Sequence, residues 1–177
     1  MPDPQGMAPP INRREAMGRL LQRLASFLPV TIPFLGANRA DAASTATDPA
    51  WNLSDGAWRS RLSPEAYQVL RREGTEPPFS SPLNKEHRQG TFLCAGCRLP
   101  LFSSKAKFDS GTGWPSFWQP LPEALGTKVD FKLIVPRTEY HCRRCGGHQG
   151  HVFNDGPRPT GKRYCNNGVA LVFVAGA

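Results

Sequence analysis

Two short cysteine pairs constrain this chain more than any other feature. Cys94-Ala95-Gly96-Cys97 and Cys142-Arg143-Arg144-Cys145 each carry two thiols on a tight turn, with 44 residues between the turns. Two intervening residues let both sulfurs of one turn point at a single centre. Two such turns complete the tetrahedron that Zn²⁺ accepts. Gly146, directly after the second pair, suits the backbone of such a turn. Arg98, Arg143 and Arg144 offset the negative charge that four thiolates leave around one dication. With Cys94, Cys97, Cys142 and Cys145 as ligands no coordination position stays open, so the metal is expected to be structural. Two disulfides are the competing arrangement, and export of the chain would favour them. A mixed site of Cys142, Cys145, His148 and His151 would leave Cys94 and Cys97 without a role.

The surrounding sequence reads as a mainly β domain. β-prone runs cover residues 91–94, 100–102, 128–135, 139–142, 151–153 and 169–174, separated by Gly- or Pro-containing turns as in antiparallel sheets. With 18 Pro and 17 Gly in 177 residues, short elements are favoured over a helical bundle. One short helix is expected ahead of the strands. Ser63 serves as its N-cap, Pro64 takes the first helical position, Glu65 complements the dipole and Gly74 ends it. Residues 77–82, rich in Pro and Ser, follow as an irregular wrap.

Residues 1–42 differ in kind. Arg13-Arg14 precedes a moderately apolar stretch, residues 20–35, that Gln22, Arg23, Pro29 and Pro33 interrupt. It closes on Ala40-Asp41-Ala42, a small-x-small pattern of the type signal peptidases cut after. The run is too short and too broken for a stable membrane anchor. The arginine pair is similar to a bacterial twin-arginine export signal, although Ala16 and Met17 replace the usual apolar residues. The expectation is export to the periplasm, with a cytoplasmic or organellar location as the alternative. Residues 43–57 read as a linker of small residues.

The fifth cysteine stands apart, in Arg163-Tyr164-Cys165-Asn166-Asn167. In an extended segment Arg163, Cys165 and Asn167 share one face. A nearby cation is expected to lower the thiol pKa and raise the thiolate fraction. His148 and His151, in the turn that leaves the second cysteine pair, supply imidazoles for proton transfer. A thiol with two histidines is a workable set for acid-assisted nucleophilic chemistry. Asp109-Ser110-Gly111-Thr112-Gly113-Trp114-Pro115-Ser116-Phe117 adds a glycine turn and a Trp able to wall a small apolar pocket.

Together these residues resemble the methionine sulfoxide reductase B family. The motifs are Gly74-Thr75-Glu76-Pro77-Pro78-Phe79, both cysteine pairs, Gly113-Trp114-Pro115-Ser116-Phe117, His148-Gln149-Gly150-His151-Val152-Phe153, Asp155-Gly156-Pro157, Pro159-Thr160-Gly161 and Arg163-Tyr164-Cys165. The resemblance implies a domain over residues 58–175 built from two antiparallel sheets with one structural Zn²⁺. It implies Cys165 as the nucleophile that attacks the sulfoxide sulfur and is left as a sulfenic acid. His148 and His151 match the residues that protonate the sulfoxide oxygen, and Asn167 and Arg163 match positions that support the thiolate. Trp114 matches the aromatic against the substrate methyl, with Phe117 and Thr112 as neighbouring substrate contacts. The implied substrate is methionine R-sulfoxide, free or in oxidised proteins and peptides. Many members carry a recycling cysteine where this chain has Thr112, so an external thiol, small or on a thioredoxin-like protein, is expected to regenerate Cys165. The protein is expected to act as a monomer.

The net charge of +8 suggests a zinc-ribbon nucleic-acid module as the main rival. Residues 1–42 carry five Arg and three acids, so +6 remains without them. Four thiolates around one Zn²⁺ bring that to about +4. The Lys and Arg residues are scattered with no basic stripe, so no nucleic-acid partner is expected. A binder of oxidised methionine without turnover is the other rival, motivated by Thr112 alone.

Overall fold

The computed structural model describes residues 48–176. The expected export signal at 1–42 and residues 43–47 lie outside the described residues. Residues 48–57, expected as linker, are built into the domain. A 3₁₀ turn covers Pro49–Trp51 and helix α1 covers Asp55–Arg61. Trp51 stacks on buried Trp58 with ring centroids 6.3 Å apart, so apolar burial holds this segment. Helix α2, Pro64–Arg72, starts as its sequence dictates, with the Ser63 hydroxyl accepting from the Ala66 N–H. Ala66, Tyr67, Val69 and Leu70 form its buried face. The left-handed residue at its end is Glu73 rather than Gly74. Ion pairs from Lys128 and Lys132 to the Glu73 carboxylate accompany that conformation.

Among the described residues nine strands follow: β1 Gly90–Cys94, β2 Pro100–Ser103, β3 Lys107–Phe108, β4 Ser116–Phe117, β5 Leu125–Asp130, β6 Arg137–Cys142, β7 His148–Phe153, β8 Arg163–Asn166 and β9 Leu171–Ala175. They form two antiparallel sheets, one in the order β2-β1-β9 and one in the order β3-β4-β8-β7-β6-β5. The expected strand at 128–135 is displaced. β5 begins at Leu125 and stops at Asp130, and residues 131–136 form an exposed loop.

Aromatic side chains fill the space between the sheets. Phe102 of β2 stacks on Phe117 of β4 at 4.2 Å, and Phe92 of β1 meets Phe117 edge-on at 4.9 Å. Tyr140 of β6 and Tyr164 of β8 extend the layer. Strand alternation decides what remains for the other face. Phe117 pairs with Tyr164 and both point inward, so Ser116 and its partner Cys165 point outward.

Candidate active site

The outer face of the six-stranded sheet gathers the polar residues that the inner face excludes. His151 of β7 sits directly opposite Cys165 of β8 and opposite Glu139 of β6. In a regular strand His148 and His151, three residues apart, would face opposite ways. A bulge corrects this. The register slips between Tyr140 and His141, so that Gln149 is the extra residue on β7 and His148 pairs with His141. Both imidazoles therefore share the Cys165 face, with ring centroids 5.5 Å apart. Gly150 allows the close approach of β8, since a Cβ there would collide with the Cys165 carbonyl.

Cys165 opens into a cleft of about 130 Å³ lined by Thr75, Trp114, Arg137, Gly150, His151, Phe153, Asn166 and Asn167. A second hollow, bordered by Thr75, Arg137 and His151 as well, carries the groove on past Phe131 and His148. The indole N–H of Trp114 donates to the Glu76 carbonyl at 3.1 Å, which fixes the ring as one wall. Asn167 is tied to the scaffold. Its Oδ1 accepts from the Glu76 N–H at 3.0 Å and its Nδ2 donates to the Gln149 carbonyl at 3.0 Å. One amide N–H of Asn167 is left for anything else. The buried Glu76 carboxylate accepts from the Gly168 and Val169 N–H groups at 2.6 and 2.9 Å, closing the turn after β8.

Two of the expected substrate contacts do not line this cleft. Phe117 is fully buried in the aromatic layer, because alternation turns it away from the Cys165 face. Thr112 lies beside the Cys165 thiol rather than in the cleft wall. Its hydroxyl starts a chain through Ser110 to Ser116, at 2.8 and 2.7 Å.

Carboxylates that sequence reasoning left unassigned orient the histidines. Asp130 Oδ2 lies 2.7 Å from His151 Nε2, and Glu139 Oε1 lies 2.7 Å from His148 Nδ1. Arg137 completes the Asp130 pair at 2.7 Å. Burial opposes ionisation of Glu139, yet nearby His141, the His148 hydrogen bond and the Lys128 charge together hold its carboxyl well below the usual range. Burial also lowers the His151 pKa, against the pull of Asp130, so this ring is neutral near pH 7. Its Nε2–H then donates to Asp130 and Nδ1 is the atom free to take a proton. Nothing in the sequence around Asp130 or Glu139 marks these pairings, since they are made across strands. Their alternation with Lys128 and His141 is the one available signal.

The thiol itself behaves differently from the expectation. Burial raises the Cys165 pKa, and this outweighs the lowering by the Arg163 charge and the Thr112 hydroxyl. Arg163 is shared with Asp155, which holds it in two hydrogen bonds at 2.9 and 2.8 Å. The resting site therefore holds a thiol, with His151 as its neighbouring proton acceptor. Alkylation of Cys165 by iodoacetamide should accelerate with pH to a midpoint above the ordinary thiol value of about 8.5. A midpoint at or below that of free cysteine would show that the cation wins.

The four remaining cysteines meet at the ends of two strand turns. Their sulfurs all lie within 4.8 Å of one another and all four residues are buried. The Cys94–Cys145 and Cys97–Cys142 sulfurs are 3.7 and 3.4 Å apart. A tetrahedral Zn²⁺ with bonds of about 2.3 Å sets sulfurs about 3.8 Å apart, whereas disulfide sulfurs lie about 2.05 Å apart. The donor set is therefore suited to a structural zinc. Each knuckle ends in a left-handed residue, Arg98 at φ 64° and Gly146 at φ 67°. The Arg98 and Gly146 N–H groups close the turns on the Cys94 and Cys142 carbonyls, at 2.8 and 2.9 Å. His148 and His151 face the groove and make no part of this cluster.

Comparison with known proteins agrees with this arrangement. Residues 62–175 match the SelR domain. A peptide methionine sulfoxide reductase MsrB of Leptospira interrogans is 51% identical over 123 residues, 69% of this chain and 94% of that protein. The MsrB of Agrobacterium fabrum is 50% identical over 131 residues, 73% of this chain and 97% of its own length. A chloroplastic peptide methionine sulfoxide reductase B1 of Arabidopsis thaliana is 50% identical over 121 residues, 68% of this chain and 60% of that protein. With its SelR match spanning both cysteine pairs and the Cys165 strand, the chain belongs to the MsrB family of peptide methionine sulfoxide reductases.

Proposed function

We propose that this chain reduces methionine R-sulfoxide, free or within proteins, to methionine and so repairs oxidative damage. The observation that carries the reading is Cys165 paired with His151 at the mouth of a cleft walled by Trp114. The sulfoxide methyl packs on the indole, and the sulfoxide sulfur faces Cys165. The thiol proton passes through His151 Nδ1 to the sulfoxide oxygen as the Cys165 sulfur attacks. In net terms the oxygen moves to Cys165, which is oxidised by two electrons to the sulfenic acid, and the sulfoxide is reduced by two electrons to the thioether. His148, held by Glu139, assists from the adjoining hollow. Asn167 and Arg163 position the β8 strand and its thiol.

With Thr112 beside Cys165 and no second cysteine outside the four-sulfur cluster, recycling is intermolecular. One external thiol condenses with the sulfenic acid, releasing water and leaving a mixed disulfide. A second thiol reduces that disulfide. The four-cysteine cluster holds one Zn²⁺ that stabilises the fold and takes no part in these steps.

A turnover assay with each sulfoxide epimer and dithiothreitol tests the reading. We expect multiple turnovers of the R epimer alone and, without thiol, a single sulfenic acid on Cys165 by mass spectrometry. Binding without turnover would leave only the binder, and an internal disulfide would overturn the one-cysteine cycle. We further propose that residues 1–42 direct export to the periplasm and that the domain acts as a monomer. Arg13-Arg14 and Ala40-Asp41-Ala42 support export, and the N-terminus of the mature protein tests it. Among the described residues no helix is long and apolar enough to cross a membrane.

A further inference from the structure

Seven large apolar side chains are exposed among the described residues, and four of them stand together in the loop between β5 and β6. Phe131 is 75% exposed, Leu133 56% and Val135 72%, and Ile134 is fully exposed. They add nothing to the core, and a contiguous apolar patch of this kind marks an interaction surface. The feet of the loop are part of the site. Asp130 and Arg137 pair across β5 and β6, Asp130 holds His151, and Arg137 lines the cleft beside Cys165. At the Trp114 end, the exposed Phe79 lies close against Gly113. Its backbone is left-handed, with φ 64°, a costly conformation for a phenylalanine.

We propose that this rim binds the polypeptide on either side of an oxidised methionine and favours segments with apolar flanks. The proposal rests on the reductase reading above and names the substrate class it prefers. A cleft of about 130 Å³ has room for one side chain, so the flanking residues of a peptide must cross its mouth. The charges there are already paired. Lys128 and Lys132 bind Glu73, and Arg137 binds Asp130, which leaves apolar contact as the main attraction on offer. Methionines belong to cores, and oxidation makes them polar and expels them with their apolar neighbours. Such segments match the rim.

The test uses the full chain, reduced beforehand and freed of thiol, in single-turnover reactions. The substrates are N-acetyl-methionine R-sulfoxide and two heptapeptides with a central methionine R-sulfoxide, one flanked by Leu and Val and one by Ser and Gly. We expect the parent to favour the apolar peptide by about tenfold in second-order rate. The triple variant Leu133→Ser, Ile134→Ser, Val135→Ser should lose that preference while its rate on N-acetyl-methionine R-sulfoxide stays within about twofold. A preference that is absent from the parent, or that survives in the variant, overturns the proposal. So does a variant slowed only in regeneration by an external thiol, which would give the rim to the reductant. A concentration-dependent dimer abolished in the variant, with unchanged kinetics, would give it to a second copy and equally overturn the proposal. Failure of the parent on N-acetyl-methionine R-sulfoxide would instead remove the reductase reading itself.

Discussion

The Cys165→Ser protein should turn over methionine R-sulfoxide about 10⁴-fold more slowly than the parent, or not at all, with an unchanged melting temperature. The size of the loss follows from what a hydroxyl cannot do. Serine cannot form the bond to the sulfoxide sulfur, and its oxygen cannot take up two oxidising equivalents as the thiol sulfur does. The unchanged fold follows from position. Cys165 is only half buried, points away from the aromatic layer, and lies outside the four-cysteine cluster. Serine is close to cysteine in size, so the β8 pairing with Ser116 and His151 survives. Steady-state turnover with dithiothreitol and a thermal melt check both halves. Retained turnover would move the nucleophile elsewhere. Lost turnover with a collapsed melt would show that Cys165 holds the fold instead.

How much of this was legible in the sequence depends on the range of the interactions involved. The cysteine pairs are local patterns, and each builds its knuckle from four consecutive residues, so their spacing led to the cluster directly. The Ser63-Pro64 start of α2 is local in the same sense. The run at 128–135 misled because an apolar, β-branched stretch reads as strand whether it is buried or exposed. Here the strand ends at Asp130, and the remaining apolar side chains stand in solvent. Phe117 sits in a motif beside Trp114, yet a shift of one residue along β4 places it on the opposite face from Cys165.

The geometry of the two histidines was out of reach for a different reason. Their common face depends on the bulge at Gln149, and that bulge exists only through pairing with β6 and β8. Asp130, Glu139 and Glu76 reach His151, His148 and Val169, which lie 21, 9 and 93 residues away in sequence, separations that no periodicity records. The thiol pKa depends on burial against charge. The sequence displays Arg163 and conceals both the burial and the claim of Asp155 on its guanidinium.

Removing the proposed zinc should unfold the domain rather than merely weaken it. The cluster ties the β1–β2 turn to the β6–β7 turn, and among the described residues no other cluster of metal-ligating side chains and no disulfide cross-links the two sheets. Structural Zn²⁺ contributes on the order of 10 kcal/mol or more in small domains. A typical domain has about 5–15 kcal/mol in total, so the metal's share is comparable with the whole. The active face should fail with the cluster. Gln149 donates to the Cys94 sulfur at 3.5 Å, while its carbonyl accepts from both the backbone N–H and the side-chain amide of Asn167 at 2.9 and 3.0 Å. Loss of the cluster therefore frees the bulge that aligns His148 and His151 with Cys165. We expect one zinc per chain by elemental analysis, and loss of the β-sheet circular dichroism signal and of activity together in Cys142→Ser or after strong chelation. Dithiothreitol alone should change neither, because thiolates and not disulfides close the cluster. A chain that melts unchanged after chelation but collapses in dithiothreitol would reverse that assignment and restore the paired disulfides.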